Sequence, residues 1–126
     1  MTMILARQAL HEMYALIGSD RDVMADIVES FLVETPLLVE KLRSAGAAGD
    51  LVSVGQAAHA LKSTAHDLGA HAFSGMCRTI ELDCRNHSKL PTVSQVSELV
   101  SESALVLEEL RLSLQAIRNG TWPDGQ

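Results

Sequence analysis

Aromatic side chains are scarce: two Phe, one Tyr and one Trp make up 3% of a 126-residue chain that is 47% apolar. A core drawn from Leu, Val, Ile, Ala and Met suits close helix packing better than a sandwich rich in aromatic and β-branched residues. Three prolines and eight glycines are too few to punctuate many short strands. There are two cysteines, Cys77 and Cys84, seven residues apart. That spacing puts both on one side of a helix, as buried thiols rather than a disulfide. No run of about 18 apolar residues exists, and Met1-Thr2-Met3-Ile4-Leu5 is too short for a signal-peptide core, so a cytoplasmic protein without a membrane span is expected. A basic excess is missing too. Ten Lys and Arg stand against sixteen Asp and Glu, a net charge of -6, which does not advertise nucleic acid or an anionic membrane as partner. The chain has no G-x-x-x-x-G-K-[ST] loop, no other ATP-binding glycine motif, no internal repeat and no low-complexity linker.

What is present is helical periodicity from end to end. Residues 5–17 carry Leu5, Ala6, Ala9, Leu10, Met13, Leu16 and Ile17 at helical spacing, and Gly18 stops them. A second helix starts at Ser19 or Asp20 with Val23, Ile27, Phe31 and Leu32 on one side. Thr35-Pro36 predicts a kink or a brief break, after which Leu37, Leu38, Leu42 and Ala45 resume the pattern to about Ala48. Asp50 caps a third helix over 51–68, with Leu51, Val54, Ala58, Leu61, Ala65 and Leu68 on its seam and Gly69 at its end. A fourth helix spans 72–87 with Phe73, Met76, Cys77, Ile80 and Cys84 inward. Pro91 stands near the start of a fifth, whose seam reads Val93, Val96, Leu99, Val100, Ala104, Leu107, Leu110, Leu114 and Ile117. Asn119-Gly120 closes it. The expected fold is all-α: an antiparallel up-down-up-down four-helix bundle with an additional short N-terminal helix. Residues 1–120 form one domain, and 121–126 form a flexible tail in which Trp122 has no assured role.

The third helix carries the chemistry. At about 100° per residue, Ser63 falls opposite the apolar seam, and His59 and His66 fall about 60° from that solvent pole. Lys62 lies on the flank beside His59, one turn on, and Gly55, one turn before, leaves the imidazole uncrowded. Imidazole is a nitrogen nucleophile with an ordinary pKa of about 6.5. A lysine within reach can tolerate the charge of a phosphorylated ring as a mobile point cation. On spacing alone, a surface histidine near a lysine is commonplace.

The wording is more specific. His59-Ala60-Leu61-Lys62-Ser63-Thr64-Ala65, followed by Leu68-Gly69-Ala70, resembles the signature of histidine-containing phosphotransfer (HPt) domains, roughly H-x-L-K-G-S-[SA] with L-G-A a few residues on. Phe31, Pro36-Leu37-Leu38, Leu42, Ala45 and Gly49-Asp50 resemble the family's run into the histidine helix, and Met76-Cys77 with Ile80-Glu81 its C-x-x-L-E segment. The resemblance implies a phosphorelay carrier without its own nucleotide or kinase site. Such a carrier accepts a phosphoryl group from a receiver-domain aspartate, or from a sensor or hybrid histidine kinase, and passes it to a response-regulator receiver aspartate. By position His59 matches the phosphoacceptor, Lys62 the lysine that steadies the phosphoryl group, and Gly69 the glycine ending that helix. No cofactor is implied, since any Mg²⁺ belongs to the partner's acidic pocket. The sequence departs from the pattern at Ser63, where glycine is usual. Its hydroxymethyl group either donates to phosphate or narrows partner choice. His66 lies outside the motif and reads as a spectator or a rim contact.

Other readings are weaker. His59, His66, His71, His87 and the cysteines could supply metal ligands, but His59 and His66 are about 10 Å apart, the cysteines lie on the apolar seam, and no C-x-x-C or H-x-x-x-H occurs; no metal is expected. A helical adaptor that binds a receiver or kinase without phosphotransfer is the main alternative. A phosphoacceptor module of a chemotaxis-type kinase would sit in a much longer chain. No serine or cysteine nucleophile stands in a recognisable motif. Glu81, Glu98, Glu102, Glu108 and Glu109 read as solvated helix faces. The expected carrier is monomeric. Val52, Gly55, Gln56, Ser63 and His66 share the face of His59 that a partner would cover, and Arg78 and Arg85 flank it.

Overall fold

Each hydrophobic run ends at a local signal, and the helices start and stop there. The computed structural model describes residues 7–123. Its helices are α1 (Arg7–Leu16), α2 (Arg21–Ala47), α3 (Leu51–Asp67), α4 (His71–His87) and α5 (Val93–Asn119), and no strand occurs among the described residues. The Asp20 and Asp50 carboxylates accept hydrogen bonds from the backbone N–H of Val23 and Ser53, each at 3.1 Å, and so cap α2 and α3. Thr92 opens α5 with a reciprocal box: its hydroxyl accepts from Gln95 N–H, and the Gln95 side chain accepts from Thr92 N–H. Pro91 therefore stands just before the cap and not inside the helix. Gly69 ends α3 at φ +86°, a conformation that would strain a residue with a Cβ. There the Ala70 N–H bonds back to the Ala65 carbonyl at 2.8 Å and the Gly69 N–H to His66 at 3.0 Å.

Short turns at 48–50, 68–70 and 88–92 make successive helices antiparallel. Helices α2–α5 form the expected four-helix bundle, in which α3 packs between α2 and α4, and α5 leans more on α2 than on α4. The core is mainly aliphatic, with Phe31, Phe73, Trp122 and two cysteines among its members. Met24, Val28, Leu42, Val54, Ala58, Leu61, Cys77, Ile80, Leu99, Val106 and Leu110 are all buried. Both cysteines are free. Burial pushes the Cys77 thiol up to about 12, which keeps it protonated and unreactive.

Several details differ from expectation. α2 does not break at Pro36, which lies on the exposed side of a continuous helix; there water can hydrate the carbonyl that the ring leaves unbonded. Val23 and Leu37 are exposed, and Met24, Val28 and Thr35 take the inward positions. On α5 the seam is rotated. Val93, Val100 and Ala104 face solvent, while Ser103 and Val106 are buried, because a helix apolar on two adjacent stripes turns inward the one that meets α2. Leu5 and Ala6 lie outside the described residues, and Leu16 is exposed. Trp122 is not frayed. It is buried, stacked on His11 at 5.0 Å and edge-on to Tyr14 at 4.9 Å.

Candidate functional site

His59 stands in the middle of α3 with its side chain 52% exposed. The residue that organises its surroundings is Glu81 of α4, which is 2% exposed. A buried carboxylate is costly unless donors, cations above all, surround it, and here three donors do, two of them cationic. Glu81 Oε2 takes His59 Nδ1 at 2.7 Å and Arg85 Nη1 at 2.9 Å, and Oε1 takes Lys62 Nζ at 2.7 Å. Burial works to raise the Glu81 pKa, but the hydrogen bonds from Lys62 and His59 and the charges of Lys62 and Arg85 outweigh it, so the group lies below the usual carboxylate range.

An ionised carboxylate can only accept. His59 Nδ1 must therefore carry the proton in this contact, which leaves Nε2 of the neutral ring with its lone pair, away from Glu81. Lys62 is held on the other oxygen of the same carboxylate, so ring and ammonium sit side by side. The bundle supports this pair from behind. The buried Ser74 of α4 donates its hydroxyl to the Lys62 carbonyl at 3.0 Å, pinning α3 to α4 one turn beyond the imidazole.

The remaining predicted residues divide. Ser63 is exposed, and its hydroxyl donates to the His59 carbonyl at 3.2 Å. The extra group is thereby folded back onto its own helix. Gln56 and Val52 are exposed on the same face. Gly55 is buried where α3 faces α4, and a Cβ there would meet Cys84 Cβ at 3.8 Å, an ordinary contact. Together with Val52, Gln56, Cys84 and Arg85 it lines a hollow of about 280 Å³. Lys62, Ser63 and His66 line another, toward the end of α3. The His66 ring lies 5.2 Å from that of His71. Gly69 lies at the far end of the helix and acts through its turn. Among the described residues no three His, Cys, Asp or Glu side chains are grouped to hold a metal ion, and no helix is long and apolar enough to cross a membrane.

Glu81 corrects the expectation of a solvated face. The signal was present in the sequence. Glu81 lies four residues after Cys77 and three before Cys84, which places it on the inward seam, with Arg85 one turn on.

The Hpt domain family model matches residues 26–120. The crystal structure of histidine-containing phosphotransfer protein B (HptB) from Pseudomonas aeruginosa PAO1 is similar in fold, with a TM-score of 0.80 and 19% identity over 91% of this chain and 97% of that one. No curated protein matches the chain.

Proposed function

Because the chain belongs to the Hpt domain family, whose members are phosphocarriers of two-component systems, we propose that His59 is its phosphoacceptor and Nε2 the reacting atom. The observation that carries this reading is the single buried carboxylate of Glu81, which engages both His59 Nδ1 and Lys62 Nζ. The Nε2 lone pair attacks the phosphorus of a receiver's aspartyl phosphate or of a kinase's phosphohistidine. As the N–P bond forms, the bond from phosphorus to the donor oxygen or nitrogen breaks, and the donor keeps the electron pair. The ring becomes cationic at that moment, and the Glu81 carboxylate on Nδ1–H stabilises the charge. Lys62 supplies a cation beside the transferred group. Attack by the next receiver's aspartate oxygen reverses the step and returns the lone pair to Nε2. The chain then needs no nucleotide of its own, and Mg²⁺ belongs to the receiver's acidic pocket. The carrier is monomeric and works in the cytoplasm, between a sensor or hybrid histidine kinase and a response regulator.

Incubation with a phosphorylated receiver domain or an autophosphorylated hybrid kinase tests the reading. The chain is expected to acquire acid-labile, base-stable label, and the His59→Gln variant none. Label that persists in the variant moves the site elsewhere. A variant that keeps full biological function would make the protein an adaptor.

A further inference from the structure

Toward the end of α3, beyond Lys62, the groove between α3 and α4 opens into a hollow of about 610 Å³ whose lining includes Lys62, His66, Asp67, His71 and Arg78. The whole chain carries a net charge of -6, yet this hollow presents two permanent cations and two imidazoles against one carboxylate. Arg78 differs from its counterparts. Arg43, Arg85, Arg111 and Arg118 are each held by a glutamate, whereas exposed Arg78 makes no ion pair among the described residues. An unpaired guanidinium offers a planar, two-pronged face to a carboxylate. The His66 and His71 rings, 5.2 Å apart and tilted by 57°, come from the end of α3 and the start of α4 and add donors on the same side. Lys62 belongs both to this hollow and to the His59 site, so the two are continuous.

Resting on the phosphoacceptor reading above, we propose that this hollow is the anion-receiving half of the docking surface for a receiver domain, and that Arg78 is its specificity-determining residue. An acidic side chain on the rim of the receiver's phosphorylation pocket enters between Arg78 and the histidine pair, and this brings the phosphoaspartate beside His59. Charge complementarity selects the occupant: a receiver concentrates carboxylates around its phosphorylation site, and this face is the cationic part of an otherwise acidic molecule. Such contacts set partner choice and association rate more than they set chemistry.

The test takes the receiver domain that labels the wild-type chain and measures its affinity by calorimetry at two salt concentrations. The full-length variants are R78A, R78E and, as a charge-matched control on α5, R111E, each with native His59 and in the His59→Gln background. R78E is expected to weaken binding about tenfold or more and R78A less. R78E is also expected to flatten the salt dependence, while R111E binds like wild type. Equal affinity of R78E and wild type at both salt concentrations overturns the proposal. So does an equal loss in R111E, which would make the effect one of net charge. Label persisting in His59→Gln overturns the phosphoacceptor assignment instead, and the affinity comparison between Arg78 variants still decides the docking role.

Discussion

At the scale of single residues the site depends on one carboxylate held by an imidazole N–H and two cations, Lys62 and Arg85. Replacing Glu81 by Gln keeps the shape, removes the charge and lets the amide meet Nδ1 with either its oxygen or its NH₂ group. The lock on the ring tautomer is then lost. ¹⁵N shifts of the neutral His59 ring are expected to report the Nδ1–H form in wild type and a mixture in E81Q; an unchanged tautomer would remove Glu81 from the mechanism. Transfer to His59 should slow by about 10–100-fold, the size seen when the partner orienting a metal-bound imidazole is removed. Stability should fall by about 1–3 kcal/mol at neutral pH. The larger cost of breaking a fully buried pair does not apply, because His59, Lys62 and Arg85 can rehydrate. The sign with pH follows from the depressed carboxylate. Its contribution is present above the unfolded carboxylate value of about 4.3 and is lost as pH falls through the lower folded value. Urea midpoints of wild type and E81Q should therefore converge as the solution is acidified below about pH 4, and a constant gap would show that the carboxylate's charge is not the stabilising feature. His59 and Lys62 were legible because their spacing and wording are local. The inward position of Glu81 was readable from its spacing to Cys77 and Cys84, but its three partners were not, because they depend on how α4 packs against α3.

At the scale of elements, α3 and α4 carry the candidate site, and Gly55 lies where they face each other beside Cys84. An added methyl group would meet Cys84 at 3.8 Å, an ordinary contact, and glycine inside a helix costs about 0.5–1 kcal/mol relative to alanine. G55A is thus expected to raise stability by about that amount. G55L should lower it by about 1–3 kcal/mol, because its branched end must enter space bounded by Cys84. Urea unfolding of both variants checks the pair of signs, and a destabilised G55A would mean that the approach tolerates no side chain at all. Helix ends were readable because caps are local chemistry: Asp20, Asp50 and Gly69 act where their residue types predict. Continuity of α2 through Pro36 and the inward stripe of α5 were less readable. The first depends on which side of the helix the proline meets, and the second on which neighbour the helix leans against.

At the scale of the whole molecule, α1 and the turn after α5 hold each other. α1 and Trp122 both lie outside the stretch matched by the family model, residues 26–120, and they meet through the His11–Trp122 stack and the Tyr14–Trp122 edge contact. The pairing of α1 with Trp122 was not legible in the sequence, since contacts between residues so far apart leave no periodicity behind. The arrangement has a consequence for cooperativity. α1 contacts the bundle mainly beside α3, burying Leu10 with Met13 packed against the core while Leu16 faces outward, and the aromatic clasp adds to what fixes it. Aromatic pairs contribute about 0.5–1.5 kcal/mol each beyond the area they bury. Trp122→Ala removes two such contacts and the buried indole, so protection of α1 should fall by about 2 kcal/mol or more, roughly a 30-fold faster amide exchange over Arg7–Leu16. Exchange in α3 and α4 should stay near wild type, and phosphoryl transfer to His59 with it. Hydrogen exchange read by mass spectrometry separates the outcomes. Faster exchange confined to α1 makes the clasp a local fastening on an autonomous four-helix bundle. Equal acceleration in α3 and α4 would mean that the N-terminal helix is part of the cooperative unit that holds the histidine in place.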